Sequence, residues 1–285
     1  MIVWLNGKLI EAAEARIDPA DRGFLLGDGL FETLLATHGK IIFADQHLER
    51  LAQGANVLGI NIGYDAATLI GAMSSLLIAN RLEGTPRTAL RLTLSRGPGP
   101  RGLLPPKDTS PTVLIACFPS QAPAHSTTAI TTTVRRNEFS PTSNLKALPY
   151  LDQILAKREA VAAGADDALF LNTQGKLACA SAANLFLWDS NTLLTPPLSD
   201  GCLDGITRRA VIDVAQSAGI GFFEESITPA TLANVEGAFL TNSLIGMMPL
   251  SAIDGRDLKE HELMQPLRAA LHEAEQASLA RPSPQ

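Results

Sequence analysis

At 285 residues the chain is long enough for a large core, and such lengths resolve into one big domain or two moderate ones; two are expected. A composition of 46% hydrophobic and 18% charged residues is that of an ordinary globular protein and excludes a disordered or fibrous one. A net charge of −6 without a Lys/Arg block argues against nucleic acid and for a small-molecule ligand. No run approaches the ~18 apolar residues of a membrane span, and "MIVWLNGKLIEAAEARI" lacks the basic start of a signal peptide, so a cytoplasmic location without membrane attachment is expected.

The opening "IVWLNGKLI" predicts a hairpin, with apolar runs on either side of the turn dipeptide Asn6-Gly7. A strand is expected around "LLATHGKIIF". Apolar residues at helical spacing then predict two helices, over "FADQHLERLAQGANVLGI" and "YDAATLIGAMSSLLIANRL". "TALRLTLSR" and "PTVLIACF" read as strands, parted by the Gly/Pro-rich loop "GPGPRGLLPPKDTS". Around "PSQAPAHSTT" the composition turns to Pro, Ala, Ser and Thr, which marks a linker at 120–127 between a small α/β domain, 1–119, and a larger one, 128–285.

Beyond the linker, "AITTTVRR" is expected as a strand and "YLDQILAKREAVAAG" as a helix closed by glycine. "DDALFLN", "LACA" and "NLFLWD" are further strands, and "TRRAVIDVAQSAG" a further helix. Strand "GAFLTNS" and a last helix, "HELMQPLRAALHEAEQASLA", precede a Pro/Ser tail expected to fray. The class is α/β of the α+β kind.

Three cysteines, Cys117, Cys179 and Cys202, show no CxxC spacing, so neither a disulfide framework nor a zinc site is indicated. Five scattered histidines form no HxxxH or HxH pair, and no metal is expected.

Four separated pieces share one explanation: "HLERL" with Arg50, "LKALPYL" with Lys146, "DGITRR" with Ile206 and Thr207, and "LTNS" with Thr241. In this order, together with "DRGFLLGDGLFET" and "ASAANLF", they resemble the class IV aminotransferase family from about Leu5 to Pro249. The resemblance implies a two-domain, fold-type-IV enzyme like the D-amino-acid aminotransferases, using pyridoxal 5′-phosphate. It also implies a homodimer, since loops of one subunit usually complete the site of the other.

Residue by residue, the resemblance makes Lys146 the amine that holds the cofactor as a Schiff base and then carries protons. Burial beside Leu145, Leu148 and Tyr150 would penalise its charged form. Ile206 and Thr207 stand at a helix start after Gly205, where unpaired N–H groups and the positive dipole end suit a phosphate dianion. Arg50 and Thr241 match the remaining phosphate contacts, and Leu203 the residue packed on the pyridine ring. Taken alone, Arg50 reads as a surface helix charge, Lys146 as a solvated loop lysine, and Asp204 or Thr207 as an ordinary N-cap.

Substrate contacts point within the family toward aminodeoxychorismate lyase. Arg101, in the pattern Arg96-Gly97-Pro98-Gly99-Pro100-Arg101-Gly102, matches a carboxylate-binding arginine, although such a loop also reads as a plain surface turn. Thr33 matches a threonine typical of the lyases. Phe31 replaces the carboxylate-binding tyrosine of the D-amino-acid enzymes, and Leu103 their histidine.

Counting five residues back from Asn184 reaches Cys179, where nearly every member of the family has a glutamate facing the pyridine nitrogen. A thiol with an ordinary pKa offers only a weak hydrogen bond there, and the weaker electron sink handicaps transamination more than elimination. The expected reaction is conversion of 4-amino-4-deoxychorismate to 4-aminobenzoate and pyruvate, on an amino substrate bearing a carboxylate. The alternative is an aminotransferase for D-amino acids, branched-chain amino acids or amines with a 2-oxo acid acceptor.

Overall fold

The structure, a computed structural model, describes residues 1–279, and the Pro/Ser tail lies outside the described residues. The chain divides into two compact units. The first holds Met1–Gln121, Lys146–Pro149 and the described chain from Glu275 onward; the second holds Ala122–Leu145 and Tyr150–Ala274.

Nine elements build the first unit: β1 (Ile2–Leu5), β2 (Lys8–Glu11), α1 (Arg22–Leu26), β3 (Gly29–Thr37), β4 (Lys40–Ile41), α2 (Ala44–Leu58), α3 (Ala66–Ala79), β5 (Thr88–Ser95) and β6 (Thr112–Pro119). The strands form one sheet in the order β2-β1-β6-β5-β3-β4. Asn6 and Gly7 both take positive φ, 47° and 90°, as a two-residue hairpin turn requires. The stretch expected as one strand around "LLATHGKIIF" is in fact two, because His38 and Gly39 also take positive φ, 46° and 76°, and turn β3 back into β4. Along β5 and β6 every second residue, Leu90, Leu92, Leu94, Val113 and Ile115, is buried, the period-2 signature of a covered face, whereas β3 also buries Phe31 and Leu35 on its other side.

The second unit is a nine-stranded sheet ordered β12-β11-β10-β13-β14-β7-β8-β9, with β15 on β14. Its elements are β7 (Thr127–Arg136), α4 (Leu151–Ala162), β8 (Asp167–Asn172), β9 (Leu177–Ala180), β10 (Asn184–Asp189), β11 (Thr192–Thr195), α5 (Ile206–Ser217), β12 (Gly221–Glu224), α6 (Pro229–Leu232), β13 (Gly237–Asn242), β14 (Gly246–Ile253), β15 (Arg256–Asp257) and α7 (Met264–Leu279). The pairs β7–β8 and β11–β12 are parallel, with α4 and α5 as their crossovers. Leu169, Leu185, Leu187, Leu240 and Leu250 centre its core.

The units differ from the expected 1–119 and 128–285 in two places. Lys146–Pro149 go back to the first unit because Leu30 and Ala147 form an antiparallel bridge flanked by Phe31 N to Lys146 O, 2.9 Å, and Leu148 N to Gly29 O, 3.0 Å. The end of α7 does so where Phe43 N donates to Ser278 Oγ at 3.2 Å. No helix among the described residues is long and apolar enough to cross a membrane, and none of their His, Cys, Asp and Glu side chains gather into a metal-binding group.

Candidate active site

In the first unit the site is organised by β3. Strand alternation places Phe31 and Thr33 on one face and Glu32 on the other, while β4 pairs only with Ala36 and Thr37 and leaves the first half of that edge for the Lys146 segment. Phe31 and Thr33 stand opposite Thr93 and Arg91 of β5. The Arg91 guanidinium carbon lies 3.9 Å from the Phe31 ring centre, and the Lys146 ammonium nitrogen 4.6 Å from it.

On the covered face Glu32 meets α2, whose His47 and Arg50 are three residues apart and so share one side of the helix. Arg50 donates from Nε to Glu32 Oε1 at 2.8 Å and from Nη2 to Oε2 at 2.7 Å, and His47 Nδ1 lies 2.7 Å from Oε2. Burial pushes the Glu32 carboxyl up, but the hydrogen bonds from His47 and Arg50 outweigh it and set the pKa at about 2. Burial lowers His47 more than Glu32 raises it, so His47 is neutral and donates from Nδ1–H.

Lys146 sits at the edge of β3 under the influence of both faces. Burial is the largest cause, assisted by the positive charges of Arg50 and Arg91 and opposed by Glu32, and together they lower its pKa from 10.5 to about 8. An amine so tuned is both a competent nucleophile and a proton carrier near neutral pH. Arg101, by contrast, is exposed in the loop after β5.

In the second unit the other expected residues come together around Asn184. Its side chain donates to Leu203 O at 2.7 Å, and it stands opposite Thr241 in the β10–β13 pair. Gly205 packs against it so closely that a Cβ there would lie 2.1 Å from Asn184 Oδ1, so no other residue fits without a shift. Gly205 is the N-cap of α5 and supplies no side-chain bond, and the preceding Asp204 accepts from Arg209. The buried Ile206 and Thr207 begin the helix directly after Gly205. Thr241, 1% exposed, keeps its Oγ1 without a hydrogen-bond partner in the described structure, the kind of orphan that a bound anion relieves.

Cys179 lies on β9 opposite Phe170. Burial pushes its thiol up, and the charge of Arg136 only partly offsets this, so it is neutral at physiological pH. Arg136 is held by Gly201 O, 2.9 Å from its Nε, and by Ser143 O.

Three residues of this site were not anticipated: Glu32, His47 and Arg91. The His-x-x-Arg spacing in "HLERL" was the available signal for the first two, since it puts both donors on one helix face with a carboxylate as the natural partner. Arg91 carried one too, as a charge within the otherwise apolar strand "TALRLTLSR".

Comparison with known proteins places the chain in a family. The profile of the family described as Amino-transferase class IV matches residues 29–253. A candidate branched-chain-amino-acid aminotransferase of Methanocaldococcus jannaschii is 32% identical over 92% of this chain and 91% of its own. The aminodeoxychorismate lyase of Bacillus subtilis is 30% identical over 89% and 87%. Among solved structures, the branched-chain aminotransferase of Thermoproteus uzoniensis, crystallised with norvaline, superposes with a TM-score of 0.89 at 30% identity over 96% of this chain and 94% of that one. The chain belongs to the class IV aminotransferase family, a family of pyridoxal-phosphate-dependent enzymes that act as aminotransferases or lyases.

Proposed function

We propose that this protein is a lyase that converts 4-amino-4-deoxychorismate to 4-aminobenzoate and pyruvate. The residues present fit the family's cofactor: a buried amine of lowered pKa, a helix start behind a glycine N-cap, and an orphaned buried hydroxyl. Lys146 would hold the aldehyde end; the amides of Ile206 and Thr207, the Thr241 hydroxyl and Arg50 would take the phosphate; Leu203 would pack on the ring and Cys179 face its nitrogen. When bound, pyridoxal phosphate supplies an electron sink for the bond broken next to the amine.

The residues of the chain then divide the remaining work. Lys146 takes the proton from the carbon that bears the amino group. The Thr33 hydroxyl, on a partly buried residue two along the strand from Phe31, donates a proton to the departing enolpyruvate, which leaves as pyruvate while the ring becomes aromatic. Arg101 binds a carboxylate, and Phe31 walls the site. The working unit in this reading is a homodimer.

The observation that carries the lyase reading is the neutral thiol of Cys179. Transamination moves a proton twice and must complete a second half-reaction, which asks more of the electron sink. Elimination ends when the leaving group departs. A second reading, an aminotransferase for branched-chain amino acids, D-amino acids or amines with a 2-oxo acid acceptor, is favoured by the full-length likeness to the Thermoproteus enzyme.

Incubation with 4-amino-4-deoxychorismate, set against a panel of amino donors with pyruvate, separates the two; turnover that requires the 2-oxo acid and releases no 4-aminobenzoate would sink the lyase. Cys179→Glu should raise transamination relative to elimination by about tenfold, the scale of roughly one pKa unit of differential stabilisation at the ring nitrogen. An unchanged ratio would show that the thiol does not set reaction type.

Cofactor attachment should depend on pH through Lys146. The neutral amine is the nucleophile, so the attachment rate of the apoprotein should climb as pH rises and level off above about 8, rather than near the 10.5 of an ordinary lysine. Absorbance after rapid mixing with pyridoxal phosphate reads this directly, and a rate still climbing steeply at pH 9.5, well over one unit beyond that value, would contradict it.

A further inference from the structure

The motif "DRGFLLGDGLFET" contains Arg22 and Asp28, to which the chemistry above gives no task, and the buried Arg96 lies with them. Arg22 is 4% exposed, unusual for an arginine. Its Nε donates to Asp28 Oδ2 at 2.9 Å; Arg96 donates to the same oxygen from Nε at 2.7 Å and to Oδ1 from Nη2 at 3.0 Å. Burial raises the Asp28 carboxyl, but bonds from Arg96 and Arg22 carry it below its ordinary value. The carboxylate is thus a fixed hub between two forks.

The outer N–H groups of each fork go to backbone carbonyls. Arg96 donates to Leu58 O at 2.7 Å and Gly59 O at 3.0 Å, which ties the hub to the end of α2. Arg22 donates from Nη1 to Gly102 O and from Nη2 to Leu103 O, both at 2.8 Å. Those are the two carbonyls that directly follow Arg101.

The loop has little else to hold it there. Leu103 and Leu104 are 84% and 87% exposed, so burial of apolar side chains does not fix this stretch. Its root is anchored: Arg22 N donates to Gly97 O at 2.9 Å, Gly99 N to Ala20 O at 3.2 Å, and Asp21 bridges Pro98. Gly97, with φ +86° and a hypothetical Cβ 1.8 Å from Ser110 O, turns the chain out of β5. Past Gly99 it is the Arg22 side chain that reaches Gly102 and Leu103.

We propose that Arg22, braced by Asp28 and Arg96, is a positioning residue that sets the place of Arg101 for the substrate carboxylate. This rests on the assignment of Arg101 given under the proposed function. One planar guanidinium satisfies three acceptors, Asp28 and two successive carbonyls, in a fixed fork; an ammonium is a point donor on a mobile stem and does not reproduce that geometry. The benefit is orientation held before substrate arrives, so the ordering of the loop is not charged against binding.

The test uses the holoenzyme with Arg22→Lys, Arg101→Ala and the double variant, together with hydrogen exchange over residues 97–106. Arg22→Lys leaves Asp28 with its Arg96 partner, so no charge is orphaned; Arg22→Gln serves as a second variant if the first does not fold. Expected are a KM for the amino substrate about tenfold higher, a kcat within about twofold, and amide exchange in the loop about tenfold faster with β5 unchanged. In the Arg101→Ala background, Arg22→Lys should add less than about twofold to KM, because it acts through Arg101.

A tenfold further rise in KM in that background, or unaltered loop exchange with a lowered Tm, would overturn the proposal and leave Arg22 as a structural residue. If Arg101→Ala itself leaves KM unchanged, it is the assignment of Arg101 to the carboxylate that fails, and the positioning role fails with it. Loop exchange in Arg22→Lys then reports separately whether the clamp holds the loop.

Discussion

Replacing Lys146 by alanine is expected to lower turnover by about four orders of magnitude, because in the function proposed above it removes in one step the covalent tether and a general acid–base whose positioned proton transfer alone is worth about 10²–10⁴. The geometry makes the residue hard to replace from nearby. Glu32, with a pKa of about 2, cannot accept a proton at neutral pH, and Arg50 and Arg91 cannot give one up. Borohydride treatment of the loaded wild-type protein should fix the cofactor on the peptide that contains Lys146, and no such label should appear in K146A. Residual turnover within tenfold of wild type, or a label on another lysine, would reject the assignment.

The largest effect on stability is expected from Glu32→Ala. That change leaves the Arg50 guanidinium and the buried His47 without their shared carboxylate, and breaking a buried ion pair by deleting one partner costs about 3–5 kcal/mol. Glu32→Gln should cost less, since it keeps an acceptor for one of the two donors. Denaturant unfolding reads the loss, and a cost below about 1 kcal/mol would mean that the cluster relaxes into solvent. The substitution also has an electrostatic signature. Glu32 raises the Lys146 pKa, so E32A should move the pH midpoint of cofactor attachment below the wild-type value of about 8. A general loss of packing would not move it in that direction.

Much of this architecture follows from local chemistry in the sequence. Asn6-Gly7 specifies a hairpin because both residues accept positive φ, and Asp65 starts α3 by accepting from Thr68 N at 2.8 Å. The elements that sequence reading passed over lack such signals. Helix α1 is five residues long and exposes Phe24, Leu25 and Leu26, so it has no amphipathic face to read. Strand β14, "GMMPLSAI", contains a proline in a sheet interior, Pro249, a pattern that argues against a central strand. The turn between β3 and β4 uses His38-Gly39, where His38 takes a conformation more usual for Asn.

The site divides in the same way. The strand, tight connection and second strand that carry Cys179 and Asn184 were legible from their apolar runs. Gly205 and Thr207 could be placed at a helix start. The His47–Arg50 pair was signalled by its helical spacing, but its partner Glu32 and the Arg22–Asp28–Arg96 hub join residues far apart in the chain, and only folding defines those contacts. The return of Lys146 to the edge of β3 is likewise a tertiary event.

The alternation along β3 has a consequence for how such enzymes diverge. Position 32 faces α2 and raises the pKa of Lys146, whereas positions 31 and 33 stand on the other face, where the function proposed above puts the substrate. A change at an odd position can therefore redraw the list of acceptable substrates while the electrostatics at the even position stay intact. Lyases and transaminases with different appetites can descend from one strand by independent single substitutions, without passing through an intermediate that has lost its chemistry.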